Sequence, residues 1–131
     1  MDTDNSPVAR ISNEFLDYQY EVLGILEHMA SPDVTEICIN RPGEIYLETK
    51  SGWQRIEMPT LNFERARQFC TSVVNESNTG QRITDTDPVV SLTFPTGQRA
   101  QFVIPPARIQ RKVETALIGA ILFADSLPTL A

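Results

Sequence analysis

The sequence predicts an α+β fold: an antiparallel sheet of about five or six strands, covered by helices on one side, with a C-terminal tail helix. Two segments repeat apolar residues at helical spacing. Several short segments alternate at a period of two and are separated by Gly- or Pro-containing turns, the pattern of an antiparallel meander. The 131 residues suit one domain. A chain of this length can bury roughly two-thirds of its unfolded surface, so it needs no metal or disulfide to fold.

The first helix follows from Phe15, Tyr18, Val22, Ile25, Leu26 and Met29, spaced by three and four residues. Ser12 is an expected N-cap, with Glu14 in the first turn where the helix dipole favours a carboxylate, and Ser6-Pro7 offers an earlier start, since proline suits the first helical position. Ser31-Pro32 ends it, because a residue before proline is pushed out of the α region. Residues 34–40, 44–49 and 53–58 then read as three strands, separated by Arg41-Pro42-Gly43 and Lys50-Ser51-Gly52. Trp53 is expected as an anchor in the sheet core.

Asn62 caps a second helix whose apolar face is Phe63, Ala66, Phe69, Cys70, Val73 and Val74. Asn78-Thr79-Gly80 stops it. After a Thr- and Asp-rich loop, residues 89–94 and 98–104 form a hairpin around Pro95-Thr96-Gly97. Pro105-Pro106 ends the second strand by removing two backbone donors. Residues 111–123 read as a tail helix, expected to be dispensable for the fold of residues 11–107.

Composition and charge exclude several classes. Hydrophobic residues are 41% and charged residues 21%, which is globular and not disordered. The net charge of −6 opposes broad nucleic-acid binding, so no direct nucleic-acid site is expected. The two cysteines, Cys38 and Cys70, are far apart, and the single histidine is His28, so the usual zinc-ligand spacing is absent and no metal site is expected. The N-terminus is acidic and polar, unlike a signal peptide. With cysteines that need not pair, it suggests a cytoplasmic location. Residues 113–124 are too short to span a bilayer. Arg108, Arg111 and Lys112 before them suit either a docking helix with a solvated first turn, the plainer reading, or peripheral membrane contact.

No nucleophile–base pair is visible. His28 reads as a helix-end histidine, favoured there by the dipole. Glu76, Asp85 and Asp87 read as a solvated acidic loop, since their spacing matches no ligand loop. A P-loop needs GxxxxGK[ST], and neither Lys50 nor Lys112 follows a glycine, so the chain alone is expected not to hydrolyse ATP and no catalytic residue is assigned. Arg99 stands out. It follows a tight turn on a strand otherwise carrying Ala100, Phe102 and Ile104, and its planar fork suits carboxylate or phosphate. By alternation it shares a face with Gln101 and Val103 and lies outside the core.

Val34-Thr35-Glu36-Ile37-Cys38-Ile39-Asn40, Pro42-Gly43, Glu48, Gly52-Trp53, Gly80-Gln81, Pro88, Pro95-Thr96-Gly97-Gln98-Arg99-Ala100-Gln101 and Pro105-Pro106 occur in that order. Together they resemble the N-terminal domain of the VirB-type traffic ATPases of bacterial type IV secretion and conjugation systems. The resemblance spans residues 11–107, with 1–10 as an N-terminal extension and 108–131 as an atypical tail helix in place of the expected linker to an ATPase domain. It implies an oligomerisation and nucleotide-sensing domain of a hexameric ATPase that powers substrate transport or pilus assembly. It also implies a cytoplasmic protein, peripheral at the inner membrane, with other inner-membrane secretion components as partners. ATP and Mg belong to the full-length family and no cofactor is expected in this chain. The family's phosphate-contacting arginine corresponds to Arg99. A helix-backed antiparallel sheet also suits a different class, a PAS-like small-ligand or sensor domain.

Overall fold

The computed structural model describes residues 7–84, 89–103 and 120–124, the last as backbone only. The elements run α1 (Asn13–Leu23), α2 (Leu26–Ala30), β1 (Val34–Ile39), β2 (Glu44–Thr49), β3 (Gly52–Glu57), α3 (Phe63–Glu76), β4 (Val89–Thr93), β5 (Arg99–Val103) and β6 (Ala120–Ala124). All the strand pairings are antiparallel. Their spatial order is β3-β2-β1-β6-β5-β4. The β1–β2–β3 meander and the β4–β5 hairpin are thus joined through β6. This mixed architecture is the expected α+β class.

The helix starts form as their caps dictate. The Ser12 hydroxyl accepts from the Phe15 N–H at 3.1 Å, and the Asn62 side-chain oxygen accepts from the Arg65 N–H at 2.8 Å. The first helix, however, is not continuous. Gly24 adopts φ +94°, and its N–H donates to the carbonyls of Tyr20 and Glu21, closing α1 as a left-handed C-cap. The break re-aims the chain. Leu16, Tyr20 and Leu23 face the core and Ile25 is fully buried, whereas Tyr18 and Val22 are exposed, contrary to the uninterrupted period. Arg65 of α3 donates to the Val22 carbonyl at 2.9 Å, supplying a partner to an orphan helix-end acceptor.

Helices α1 and α3 pack on one face of the sheet. Ala66, Phe69, Cys70, Val73 and Val74 are buried, as the second apolar face predicts. They join Ile37, Ile39, Ile45, Leu47, Val90, Leu92, Ala100 and Phe102 from the strands in one core. Phe69 lies at its centre, with ring centroids 6.2 Å from Tyr20 and 5.9 Å from Phe102. Burial pushes the Tyr20 hydroxyl and the Cys70 thiol well above their ordinary values.

Two expectations are corrected here. Trp53 does not anchor the core: it is 54% exposed, because β3 is an edge strand whose Trp53 points away from the helices. The tail is not helical where it is described. Residues 120–124 form β6, paired with β1 on one side and β5 on the other. A short apolar run does not distinguish helix from buried strand. Here the two facing strands would otherwise present unpaired backbone donors and acceptors, and strand insertion satisfies both rows at once. A strand in that position makes residues 120–124 part of the sheet. The rest of the expected tail helix, 111–119, lies outside the described residues.

Candidate functional site

Arg99 is placed by the turn before it. The Phe94 N–H donates to the Gln98 carbonyl and the Gly97 N–H to the Phe94 carbonyl, each at 2.8 Å. Gly97 takes φ +103°, a conformation L side chains rarely adopt. The Thr96 hydroxyl donates to the Gln98 side-chain oxygen. Strand β5 starts at Arg99 and alternates out and in: Arg99 and Gln101 are exposed, Ala100 and Phe102 are buried. The expected alternation holds over the described residues, and Arg99 lies on the open face of the sheet, away from the helices. Ile104 lies outside the described residues.

The strand registers extend this position across the molecule. Arg99 is opposite Thr93 of β4 and Ala124 of β6. Ala124 is opposite Glu36 of β1, Glu36 opposite Glu48 of β2, and Glu48 opposite Trp53 of β3. One cross-strand row therefore runs Trp53, Glu48, Glu36, Ala124, Arg99, Thr93. Glu36 and Glu48 are a like-charge pair in direct register. A β-bulge between Val34 and Glu36 turns Thr35 toward them, and its hydroxyl donates to the Glu48 carboxylate at 3.1 Å. Burial, and then the neighbouring Glu48 charge, raise the Glu36 pKa. The Cys38 thiol donates to Glu36 at 3.7 Å, and its pKa is pushed up to about 11, by burial first and the Glu36 charge second. A thiol held this far from its thiolate is a poor nucleophile at neutral pH.

Sequence reasoning missed Glu36 and Glu48 as a pair. The alternation of Glu36 and Cys38 with Ile37 and Ile39 places them on one face. Only the hairpin register sets Glu36 against Glu48. The other titratable candidates do not converge. His28 is half-buried in α2, with only Glu27 at 3.9 Å as a charged neighbour. Glu76 ends α3, while Asp85 and Asp87 lie outside the described residues. Among the described residues no group of three or more His, Cys, Asp and Glu side chains is arranged to hold a metal ion.

The described residues form a helix-backed antiparallel sheet of the α+β class that presents Arg99 at the start of a strand. Comparison with known proteins supplies the family. No protein-family model matches the chain. The type IV secretion system protein VirB11 of Brucella suis biovar 1 is 40% identical over 76 residues, covering 58% of this chain and 20% of that protein. VirB11 of Bartonella quintana is 35% identical over 104 residues, covering 79% of this chain and 29% of that protein. PtlH of Bordetella pertussis, also a type IV secretion system protein, is 32% identical over 79 residues, covering 60% and 23%. The crystal structure of the Brucella suis VirB11 ATPase in complex with sulphate superposes with a TM-score of 0.68 at 28% identity, covering 88% of this chain and 33% of that one. The chain is a homologue of the VirB11/PtlH type IV secretion ATPases, with a fold consistent with their N-terminal domain. It spans 20% to 29% of the length of these curated relatives.

Proposed function

We propose that this chain is the N-terminal oligomerisation and nucleotide-sensing part of a hexameric type IV secretion ATPase, one that powers substrate transport or pilus assembly. The supporting observation is the joint match in sequence and fold to VirB11. Residues 11–107, completed by β6, make up that domain. The full protein works in the bacterial cytoplasm at the inner membrane, alongside other components of the secretion or conjugation system. No described helix is long and apolar enough to cross a membrane.

ATP and its magnesium are the expected substrate of the whole protein. Arg99 fits a phosphate, and the sequence lacks a P-loop of its own. Arg99 acts only when a second domain brings the phosphates to it. Its exposure on the open face supports this role. A guanidinium meets phosphate oxygens bidentately, and such charge-assisted bonds contribute about 1.5–3 kcal/mol each. The test is Arg99→Ala in the full-length protein, measuring nucleotide affinity, turnover and oligomeric state. Weaker nucleotide binding with the oligomer intact is expected. Unchanged affinity and turnover would make Arg99 an ordinary surface charge.

A further inference from the structure

The face of the sheet opposite the helices carries two like-charge pairs in cross-strand register on the β1–β2–β3 meander. One is Glu44 with Glu57, the other Glu36 with Glu48. The chain treats them differently. Between Glu44 and Glu57 it inserts its own arginine: Arg55 lies 2.6 Å from the Glu44 carboxylate and 3.4 Å from that of Glu57. Glu36 and Glu48 have no cation within 4.0 Å among the described residues. Like charges directly opposite one another in a sheet are destabilising. The neighbouring residue in the row is Trp53, which is in register with Glu48 and largely exposed. No described element packs over this row.

We propose that the open face at Trp53, Glu48 and Glu36 is a docking surface for an arginine-bearing segment of a partner protein. The guanidinium takes, at Glu36 and Glu48, the place that Arg55 fills at Glu44 and Glu57. Its planar fork pairs with the Glu48 carboxylate, which the Thr35 hydroxyl orients at 3.1 Å. Its π-face and aliphatic stem lie on the indole of Trp53, a cation–π contact that a carboxylate alone cannot supply. The charge complementarity chooses the occupant. Phosphate-rich partners, whether nucleic acid or anionic lipid, are repelled by the same carboxylates.

Trp53 is the sole tryptophan, so its fluorescence reports on this face directly. The experiment titrates the full chain with a blocked arginine peptide, acetyl-GRGRG-amide, and with the same peptide carrying citrulline. We expect a saturable change in Trp53 emission with the arginine peptide and none with the citrulline peptide. Glu36→Gln with Glu48→Gln should weaken binding roughly five- to tenfold, while Glu14→Gln with Glu21→Gln on the exposed side of α1 should not. The two double variants change net charge equally, and circular dichroism checks that both remain folded. Equal weakening by both, equal binding by wild type and the Glu36/Glu48 variant, a response to citrulline, or no response up to about 10 mM peptide would each overturn the proposal. Self-association of the chain that Glu36→Gln with Glu48→Gln abolishes would overturn it too, by making a second copy the occupant.

Discussion

Glu36 and Arg99 face the same residue from opposite sides: both are in register with Ala124 of β6. They belong to the two halves of the sheet, β1 to the meander and β5 to the hairpin. Adjacent strands are roughly 4.8 Å apart, so the backbone positions of Glu36 and Arg99 lie in one row about 10 Å apart. The strand between them decides this, and that strand comes from the last part of the chain.

Leu122→Pro should therefore be severely destabilising. Proline removes a ladder donor from a strand paired on both sides and is otherwise confined to edges and bulges. The expected outcome is loss of the cooperative thermal transition or a large fall in Tm. The same measurement on a chain truncated after residue 107 should show the same loss. Native-like melting of either would return the tail to a dispensable role.

Phe69→Ala should cost about 3–5 kcal/mol, because the ring is buried between Tyr20 and Phe102 and its loss leaves a cavity. Urea unfolding, with the slope unchanged and the midpoint lowered, checks this.

Gly24→Ala should destabilise by roughly 1–2 kcal/mol, since φ +94° at the α1 C-cap is a left-handed conformation. A Cβ there would also lie 2.6 Å from the Met58 terminal methyl, which is flexible enough to move. The backbone conformation is thus the larger cause. Thermal denaturation that shows no change would remove that argument for the helix break.

Glu36→Gln should stabilise the chain at pH 7. The folded-state pKa of Glu36 is raised, by burial first and Glu48 second, so the folded chain holds that proton more tightly than the unfolded one. The advantage is full below the unfolded carboxylate value and is lost as pH rises through the higher folded value. As pH rises, ionised Glu36 bears the burial and like-charge cost. Melts at pH 7 and pH 4 should show a larger gain for the variant at the first than at the second. A gain independent of pH would point to a cause other than ionisation.

Local chemistry was legible in the sequence wherever a short-range rule acts alone. The Ser12 and Asn62 caps, the α3 face around Phe69, the turns at Gly43, Gly52 and Gly97, and the outward Arg99 all follow from side chains within a few residues of one another. Three features do not. Helix α1 stops at Gly24 although the apolar period continues, because Gly24 takes φ +94° and closes the helix as a left-handed C-cap, with Ile25 fully buried beyond it. Trp53 is exposed because, among the described residues, no strand lies beyond β3 and its side chain is on the face away from the helices, which a local alternation pattern cannot reveal.

The third is β6, and it governs the candidate site. Residues 120–124 carry an apolar run that serves helix or strand equally, and only the unpaired edges of β1 and β5, formed by residues far away in the chain, select the strand. Its insertion brings Glu36 and Arg99 into one row, while the β1–β2 register, reset by the bulge at Val34 and Glu36, sets Glu36 against Glu48. Sequence alone determined which residue types were available and which way each strand's side chains alternate. Hydrogen-bond register between distant segments decided which of them meet, because a shift of one residue would turn every side chain of that strand to the opposite face.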